Sequence, residues 1–187
     1  TRKKIWMTAV LITLLTWSAW ALIRFDRRSS MESVEIRRIS LNPEYRFSDR
    51  QGKEHKVGEY GGNWTLIHFW ASWCAPCVSE IPELLQFLGT LVSSSNRNDD
   101  LKILMVSLDD SWAAADRVLK PSSLPANTVS VIDLSKGFPG SLGITKYPET
   151  LLVGPDRKIV GRWIGPQAWN DPAWGRALIE RMRAHVR

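Results

Sequence analysis

Hydrophobic and polar positions divide the chain into one long apolar run and a series of shorter elements. The run Ile5–Ile23 holds nineteen residues without a charge. A helix of that length spans roughly 28 Å, about the hydrocarbon thickness of a bilayer. The run therefore predicts a transmembrane anchor at 5–23, preceded by a cytoplasmic stub at 1–4. A cleaved signal peptide is the alternative, because Ala19-Trp20-Ala21 has the small-x-small spacing of a cleavage site.

The rest of the chain predicts a linker and one domain. Residues 24–44 are polar, rich in Ser and Arg and without clear periodicity, which indicates a linker. Residues 45–187 contain two apolar, β-rich runs separated by a segment of helical spacing. The predicted elements are strands at Tyr45–Phe47, His55–Val57 and Trp64–Trp70, a helix at Ala75–Val92, a strand at Leu101–Leu108, a helix capped by Asp110 or Ser111 and ending before Pro121, a strand at Thr128–Leu134, a Gly-rich loop over 137–143, strands at Thr150–Val153 and Lys158–Ile164, and a final helix opened by Asp171-Pro172. This order predicts an α/β sheet with helices on both faces.

The charge is concentrated near the predicted anchor. The chain carries 25 Lys and Arg against 19 Asp and Glu, a formal net charge of +6. Residues 1–28 hold +5 of that excess, and residues 29–187 hold only +1. A nucleic-acid-binding domain would carry its basic residues on the folded body, so we expect no nucleic-acid partner.

The two cysteines form a single C-x-x-C motif between a predicted strand and helix. Cys74 lies at the helix N-terminus, where unpaired amides and the macrodipole stabilise a thiolate, and Pro76 fits the first turn. The motif indicates thiol–disulfide exchange, with Cys74 as nucleophile and Cys77 as resolving thiol. A structural disulfide of so short a loop would contribute only about 2 kcal/mol. A metal site is the other alternative, but the three histidines lack ligand spacing.

Three segments resemble a known family. Phe69–Cys77 (FWASWCAPC) resembles the active-site segment of thioredoxin-fold proteins. The continuation Val78–Pro82 is similar to the membrane-anchored TlpA/ResA/CcmG-like group, and Lys146–Thr150 (KYPET) resembles the family's cis-proline segment. The resemblance covers roughly 45–187 and implies a thioredoxin-like fold, a central mixed β-sheet flanked by helices.

The resemblance also implies roles for residues beyond the cysteines. Glu80 matches the group's active-site acid, which tunes thiol pKa values and proton transfer, and an exposed helical glutamate is the alternative. Pro148, if its peptide bond is cis, places its turn against the C-x-x-C motif, and the backbone at Tyr147 pairs with substrate. Trp73 shields the dithiol, whereas Trp70 belongs mainly to the core.

His68 departs from the family pattern. Two residues before Trp70, ordinary thioredoxins carry a buried Asp and the TlpA-like group often an Asn. An imidazole titrates near neutrality, so His68 is a candidate to relay the proton lost by Cys77. The alternative is a hydrogen-bonded core histidine with no part in catalysis.

The direction of electron flow follows from Pro76. Strong oxidants typically carry a His before the second Cys, which stabilises their reduced form, so Pro76 favours a reductant. The resemblance implies a periplasmic domain on the bacterial inner membrane that reduces apocytochrome c, or oxidase assembly factors for copper sites. Electrons would come from a membrane thiol–disulfide transporter. We expect no metal and no cofactor beyond the redox-active Cys74–Cys77 disulfide. A thiol oxidase or isomerase and a redox-inert binding module are the alternatives.

Overall fold

A computed structural model describes residues 39–94 and 101–186. The predicted stub, the predicted anchor and the linker up to residue 38 lie outside these residues. Within the described ranges, no helix is long and apolar enough to cross a membrane. The elements below therefore belong to the predicted domain and to the last residues of the predicted linker.

The described strands form one mixed sheet, as the family resemblance implied. They are β1 (Arg46–Ser48), β2 (Glu54–Lys56), β3 (Trp64–Trp70), β4 (Leu101–Ser107), β5 (Thr128–Ile132), β6 (Glu149–Val153) and β7 (Ile159–Ile164). Their order in the sheet is β2-β1-β5-β4-β3-β6-β7. β3, β4 and β5 pair in parallel, and the other neighbours pair antiparallel. The sheet with its helices is a thioredoxin-like α/β fold.

The central strand β3 positions the C-x-x-C motif. All seven of its residues are buried, which explains why it reads as a continuous apolar run. A short loop then leads into helix α1 (Ala75–Ser94), which buries Ile81, Leu84 and Leu88 in the core. The motif consequently lies at the carboxyl end of a buried parallel strand, where open α/β sheets place their functional sites.

The remaining helices differ from the prediction in one place. They are α2 (Trp112–Ala115), α3 (Gly137–Ser141) and α4 (Ala173–Val186), with 3-10 turns at Val57–Tyr60 and Pro121–Ser123. The Ser111 cap is confirmed, because its hydroxyl accepts a hydrogen bond from the Ala114 amide. The helix ends before Pro121, as predicted, and comprises four residues. Helix α3 replaces part of the predicted Gly-rich loop, and five residues are too few to show periodicity.

The packed domain begins earlier than predicted. Leu41 is 3% exposed and belongs to the main hydrophobic core, and its amide donates to the carbonyl of Arg157 at 3.0 Å. Ile39 packs against the same core. The domain therefore includes residues 39–44, which the sequence assigned to the linker. Two apolar residues within a polar segment give no periodic pattern, so hydropathy alone missed them.

Candidate active site

The two predicted cysteines form a disulfide where the chain enters α1. Cys74 precedes the first helical residue, and Cys77 lies in the first turn, where its amide donates to Cys74 Sγ at 3.3 Å. Such an amide stabilises negative charge on that sulfur once the disulfide opens. Cys74 is 7% exposed and Cys77 is fully buried. Cys74 is thus the cysteine that a partner can approach from solvent.

An aromatic pair, the exposed Trp73 and the half-buried Tyr147, lies beside the C-x-x-C motif. Trp73, directly before Cys74, is 61% exposed, and its ring meets that of Tyr147 edge to face, with centroids 6.2 Å apart. The Tyr147–Pro148 peptide bond is cis, as the family resemblance implied. The carbonyl of Pro148 accepts a hydrogen bond from the Gly165 amide at 2.8 Å, which ties this turn to the end of β7. Trp70 is fully buried and belongs to the core.

Glu80 is a buried residue of α1, which excludes an exposed helical glutamate. Only 5% of its surface is exposed, and Oε2 accepts hydrogen bonds from the Gln167 amide at 2.8 Å and from Trp169 Nε1 at 2.9 Å. Burial raises the pKa of Glu80 to about 7, although both hydrogen bonds act to lower it. The carboxyl group can therefore exchange a proton near neutral pH.

His68 lies fully buried on β3 and faces Glu80. Its Nδ1 is 2.9 Å from Thr150 Oγ1 on β6, and its Nε2 is 3.6 Å from Glu80 Oε1. Burial lowers the pKa of His68 to about 3, so the imidazole is neutral at neutral pH. Burial thus disfavours imidazolium at His68, and the role of His68 as a proton relay stays a prediction.

Comparison with known proteins agrees with this geometry. Residues 39–162 match the AhpC/TSA family. The chain belongs to this family. A thiol-disulfide oxidoreductase ResA from Geobacillus kaustophilus is 27% identical over 158 residues, 84% of this chain and 85% of the relative. ResA from Geobacillus thermodenitrificans is 24% identical over 120 residues, which are 64% of this chain and 65% of the relative.

Solved structures show the same fold. A thiol:disulfide interchange protein of the thioredoxin family from Chlorobium tepidum superposes with a TM-score of 0.59 at 20% identity, covering 80% of this chain and 99% of that one. This AhpC/TSA chain thus combines a thioredoxin-like fold with a C-x-x-C disulfide between its central strand and first long helix. It is a thiol–disulfide oxidoreductase of the thioredoxin type.

Sequence reasoning missed the residues that hold the active-site loop of this AhpC/TSA chain. The buried Asp109, just after β4, accepts hydrogen bonds from the Ser72 amide at 3.1 Å and the Ser72 hydroxyl at 2.6 Å. The Ser107 hydroxyl donates to the same carboxylate at 2.8 Å. The loop two residues before Cys74 is therefore fixed from the neighbouring parallel strand. An acid just past a buried strand is the signal that could have marked Asp109 as a candidate.

A second missed pair supports the cis-proline turn. Glu149, directly after Pro148, is buried, and its Oε1 lies 2.6 Å from Arg162 Nε on β7. Burial raises the pKa of Glu149, and the Arg162 guanidinium opposes that shift. Arg162 also donates to the carbonyl of Gly143 at 3.0 Å. One guanidinium thus connects the turn to the segment that follows α3.

Proposed function

We propose that the chain is an extracytoplasmic reductant that keeps selected protein thiols reduced, with apocytochrome c as its leading substrate. The observation that carries the direction of transfer is the surroundings of Cys74 Sγ. Its hydrogen bond comes from the Cys77 amide, and Pro76 stands where a strong oxidant carries a histidine. Proline has no amide proton and no side-chain donor, so it adds nothing that would stabilise the Cys74 thiolate. A Cys74 thiolate that is less stabilised than that of a strong oxidant makes the dithiol the stronger reductant.

In the proposed reaction, Cys74 and Cys77 act in sequence. The Cys74 thiolate attacks a substrate disulfide, forms a mixed disulfide and releases the first substrate sulfur as a thiolate. Cys77 then attacks Cys74 Sγ, the second substrate sulfur leaves, and the Cys74–Cys77 disulfide closes. The proton lost by Cys77 passes to the carboxylate of Glu80, one helical turn further along α1. Two electrons reach the substrate, and no cofactor beyond the dithiol takes part.

The proposed substrate site consists of the exposed Trp73, the half-buried Tyr147 and the buried Pro148. An exposed tryptophan beside a reactive sulfur offers apolar area to a protein partner, as aromatic residues do at interfaces. The backbone at Tyr147 would pair with an extended substrate segment, in line with the family resemblance. Haem attachment requires the reduced Cys-x-x-Cys-His of apocytochrome c, which makes that segment the leading candidate.

Placement outside the cytoplasm rests on the apolar run 5–23 and on the need for such a reductant in an oxidising compartment. A bacterial periplasm is kept oxidising and has no reducing buffer. The reduced dithiol would therefore be regenerated by a membrane thiol–disulfide transporter at the bacterial inner membrane.

Trapping of mixed disulfides in cells tests the substrate. Cys77→Ala cannot resolve the intermediate, so the captured partner stays bound to Cys74 and can be identified by mass spectrometry. Cys74→Ala/Cys77→Ala, which has no nucleophile, is the matched control. Apocytochrome c among the specific partners supports the proposal. If copper-site assembly factors are captured in place of apocytochrome c, the result contradicts this substrate and favours a role in oxidase assembly.

The reduction potential tests the direction. We expect a value near that of thioredoxin, roughly −270 mV. A value near −120 mV, typical of a strong oxidant, contradicts the reductant and favours a thiol oxidase or isomerase. Insulin reduction that persists in Cys74→Ser would contradict the dithiol mechanism itself.

A further inference from the structure

Two buried polar atoms, one on β3 and one on α1, face each other. His68 Nε2 and Glu80 Oε1 are 3.6 Å apart, and neither has a hydrogen-bond partner among the described residues. Each group uses its other polar atom fully: His68 Nδ1 pairs with Thr150 Oγ1, and Glu80 Oε2 accepts from Gln167 and Trp169. Buried polar atoms without hydrogen-bond partners are rare and destabilising, so we expect a proton between Nε2 and Oε1 that lets one atom donate to the other.

A neutral imidazole can form a hydrogen bond with Glu80 Oε1 in two ways. With the proton on Nδ1, His68 donates to the Thr150 hydroxyl, and its bare Nε2 accepts from a protonated Glu80. With the proton on Nε2, His68 donates to a Glu80 carboxylate, and Nδ1 accepts from the Thr150 hydroxyl. Thr150 suits both tautomers because a hydroxyl group both donates and accepts. The two arrangements differ by one proton on Glu80 and by no charge on His68.

We propose that His68 is a positioning residue whose tautomer follows the charge of Glu80, so that the buried carboxyl has a hydrogen-bond partner both before and after it takes a proton. The imidazole itself never becomes charged in this scheme. The proposal rests on thiol–disulfide exchange and is independent of which protein is the substrate.

Several groups besides His68 act on Glu80. The Gln167 amide and Trp169 Nε1, from the segment before α4, favour its carboxylate, and Glu83, one turn along α1, disfavours it. Cys77 precedes it by one turn on the same helix. In the resolving step, the Cys77 S–H bond breaks, its sulfur bonds to Cys74 Sγ, the substrate sulfur leaves as a thiolate, and Glu80 gains the proton.

Nuclear magnetic resonance of the oxidised full chain tests the tautomer directly. With ¹⁵N-labelled histidine and ¹³C-labelled glutamate, Glu80→Gln identifies the carboxyl signal that is lost. We expect a bare Nε2 below the Glu80 titration midpoint and a protonated Nε2 above it. A His68 tautomer that stays the same across the Glu80 titration overturns the proposal. This measurement needs no variant of His68.

Substitution of His68 supplies a second test. His68→Met fills the space with an apolar side chain and offers the carboxylate no donor, whereas the amide of His68→Gln can both donate and accept. We expect the Glu80 midpoint to rise by at least about one pH unit, a tenfold change in proton affinity, in His68→Met. In His68→Gln it stays within about half a unit of wild type. An unchanged midpoint in His68→Met refutes the proposal.

Kinetics with a chromogenic aromatic disulfide connect the pair to the reaction. Attack by Cys74 releases one coloured thiolate, and attack by Cys77 releases a second. We expect the rate of the second phase to rise as the pH increases through the titration midpoint of Glu80. This midpoint should lie at higher pH in His68→Met and close to the wild-type value in His68→Gln. If His68 had a purely structural role, its substitution would change the amplitudes of the two phases or the stability of the chain, but not the pH dependence of the second phase. Because the reagent is not a protein, this result does not depend on the apocytochrome proposal.

Discussion

The burial of His68 and Glu80 predicts an unusual dependence of the free energy of unfolding on pH below neutrality. Burial lowers the pKa of His68 from 6.5 to about 3 and raises the pKa of Glu80 from 4.5 to about 7. Between pH 4.5 and 6.5 the folded chain therefore holds one proton on Glu80, and the unfolded chain holds one on His68. Stability depends on pH only where the two states bind different numbers of protons, so the two contributions cancel.

Replacing either member by glutamine removes this cancellation. In Glu80→Gln only His68 remains, its folded-state pKa is depressed, and stability is lost as the pH falls from 6.5. In His68→Gln only Glu80 remains, its folded-state pKa is raised, and stability is gained as the pH falls towards 4.5. One proton changes the free energy of unfolding by about 1.4 kcal/mol per pH unit. Because each group is only half-titrated in the unfolded chain at one end of this window, each variant changes by about 2 kcal/mol relative to wild type, with opposite sign.

Urea unfolding of the oxidised full chain at pH 4.5, 5.5 and 6.5 measures these slopes, provided that the m value is the same in all variants. Other titrating groups contribute equally to every variant, so differences from wild type isolate the pair. The matched control is His68→Gln/Glu80→Gln, whose stability should run parallel to wild type. If both single variants also run parallel to wild type, neither group titrates as burial requires, and the reasoning fails.

Three further substitutions test the contacts around the disulfide. Arg162→Met leaves Glu149 buried without its cation and should lower the free energy of unfolding by about 3–5 kcal/mol, measured by urea unfolding. A loss below about 1 kcal/mol would mean that the pair is solvated. Asp109→Asn weakens the anchor of the active-site loop, so the Ser72 amide should exchange its hydrogen faster, at a cost of about 1–3 kcal/mol. Trp73→Ser should change stability by less than about 0.5 kcal/mol, yet raise KM for a protein disulfide more than for a small disulfide. Equal increases in both KM values would argue against a docking role.

Local sequence patterns predicted those elements that depend only on local chemistry. The strand Trp64–Trp70 has the predicted bounds because a strand buried on both faces is apolar throughout. The helix predicted after Ser111 has its cap and ends before Pro121, but its length of four residues could not be predicted. A cap and several alanines favour helix initiation, but the length of a helix in a folded domain depends on packing that the sequence does not show.

Such local patterns could not predict side-chain contacts between different strands. Thr150 reaches His68 because β6 lies antiparallel to β3 with these two residues directly opposite. A shift of one residue in that register would turn Thr150 to the other face of the sheet. The same holds for Asp109, whose partner Ser72 follows the neighbouring strand β3. No periodicity within one segment contains the register between two segments, so both contacts were missed.

The two cysteines have different surroundings, and this difference explains which part of the site the sequence revealed. Cys74 directly follows the exposed Trp73, whose ring meets that of Tyr147, and both aromatic residues belong to contiguous motifs that depend on local order along the chain. Cys77 has no exposure, and the acid one turn after it accepts hydrogen bonds from the segment before α4 and faces His68 on β3. Recognition of a partner needs surface, whereas a carboxyl that exchanges protons near neutral pH needs burial with few charged neighbours. A single disulfide at the end of a buried strand meets both requirements, because one sulfur faces solvent and the other faces the core.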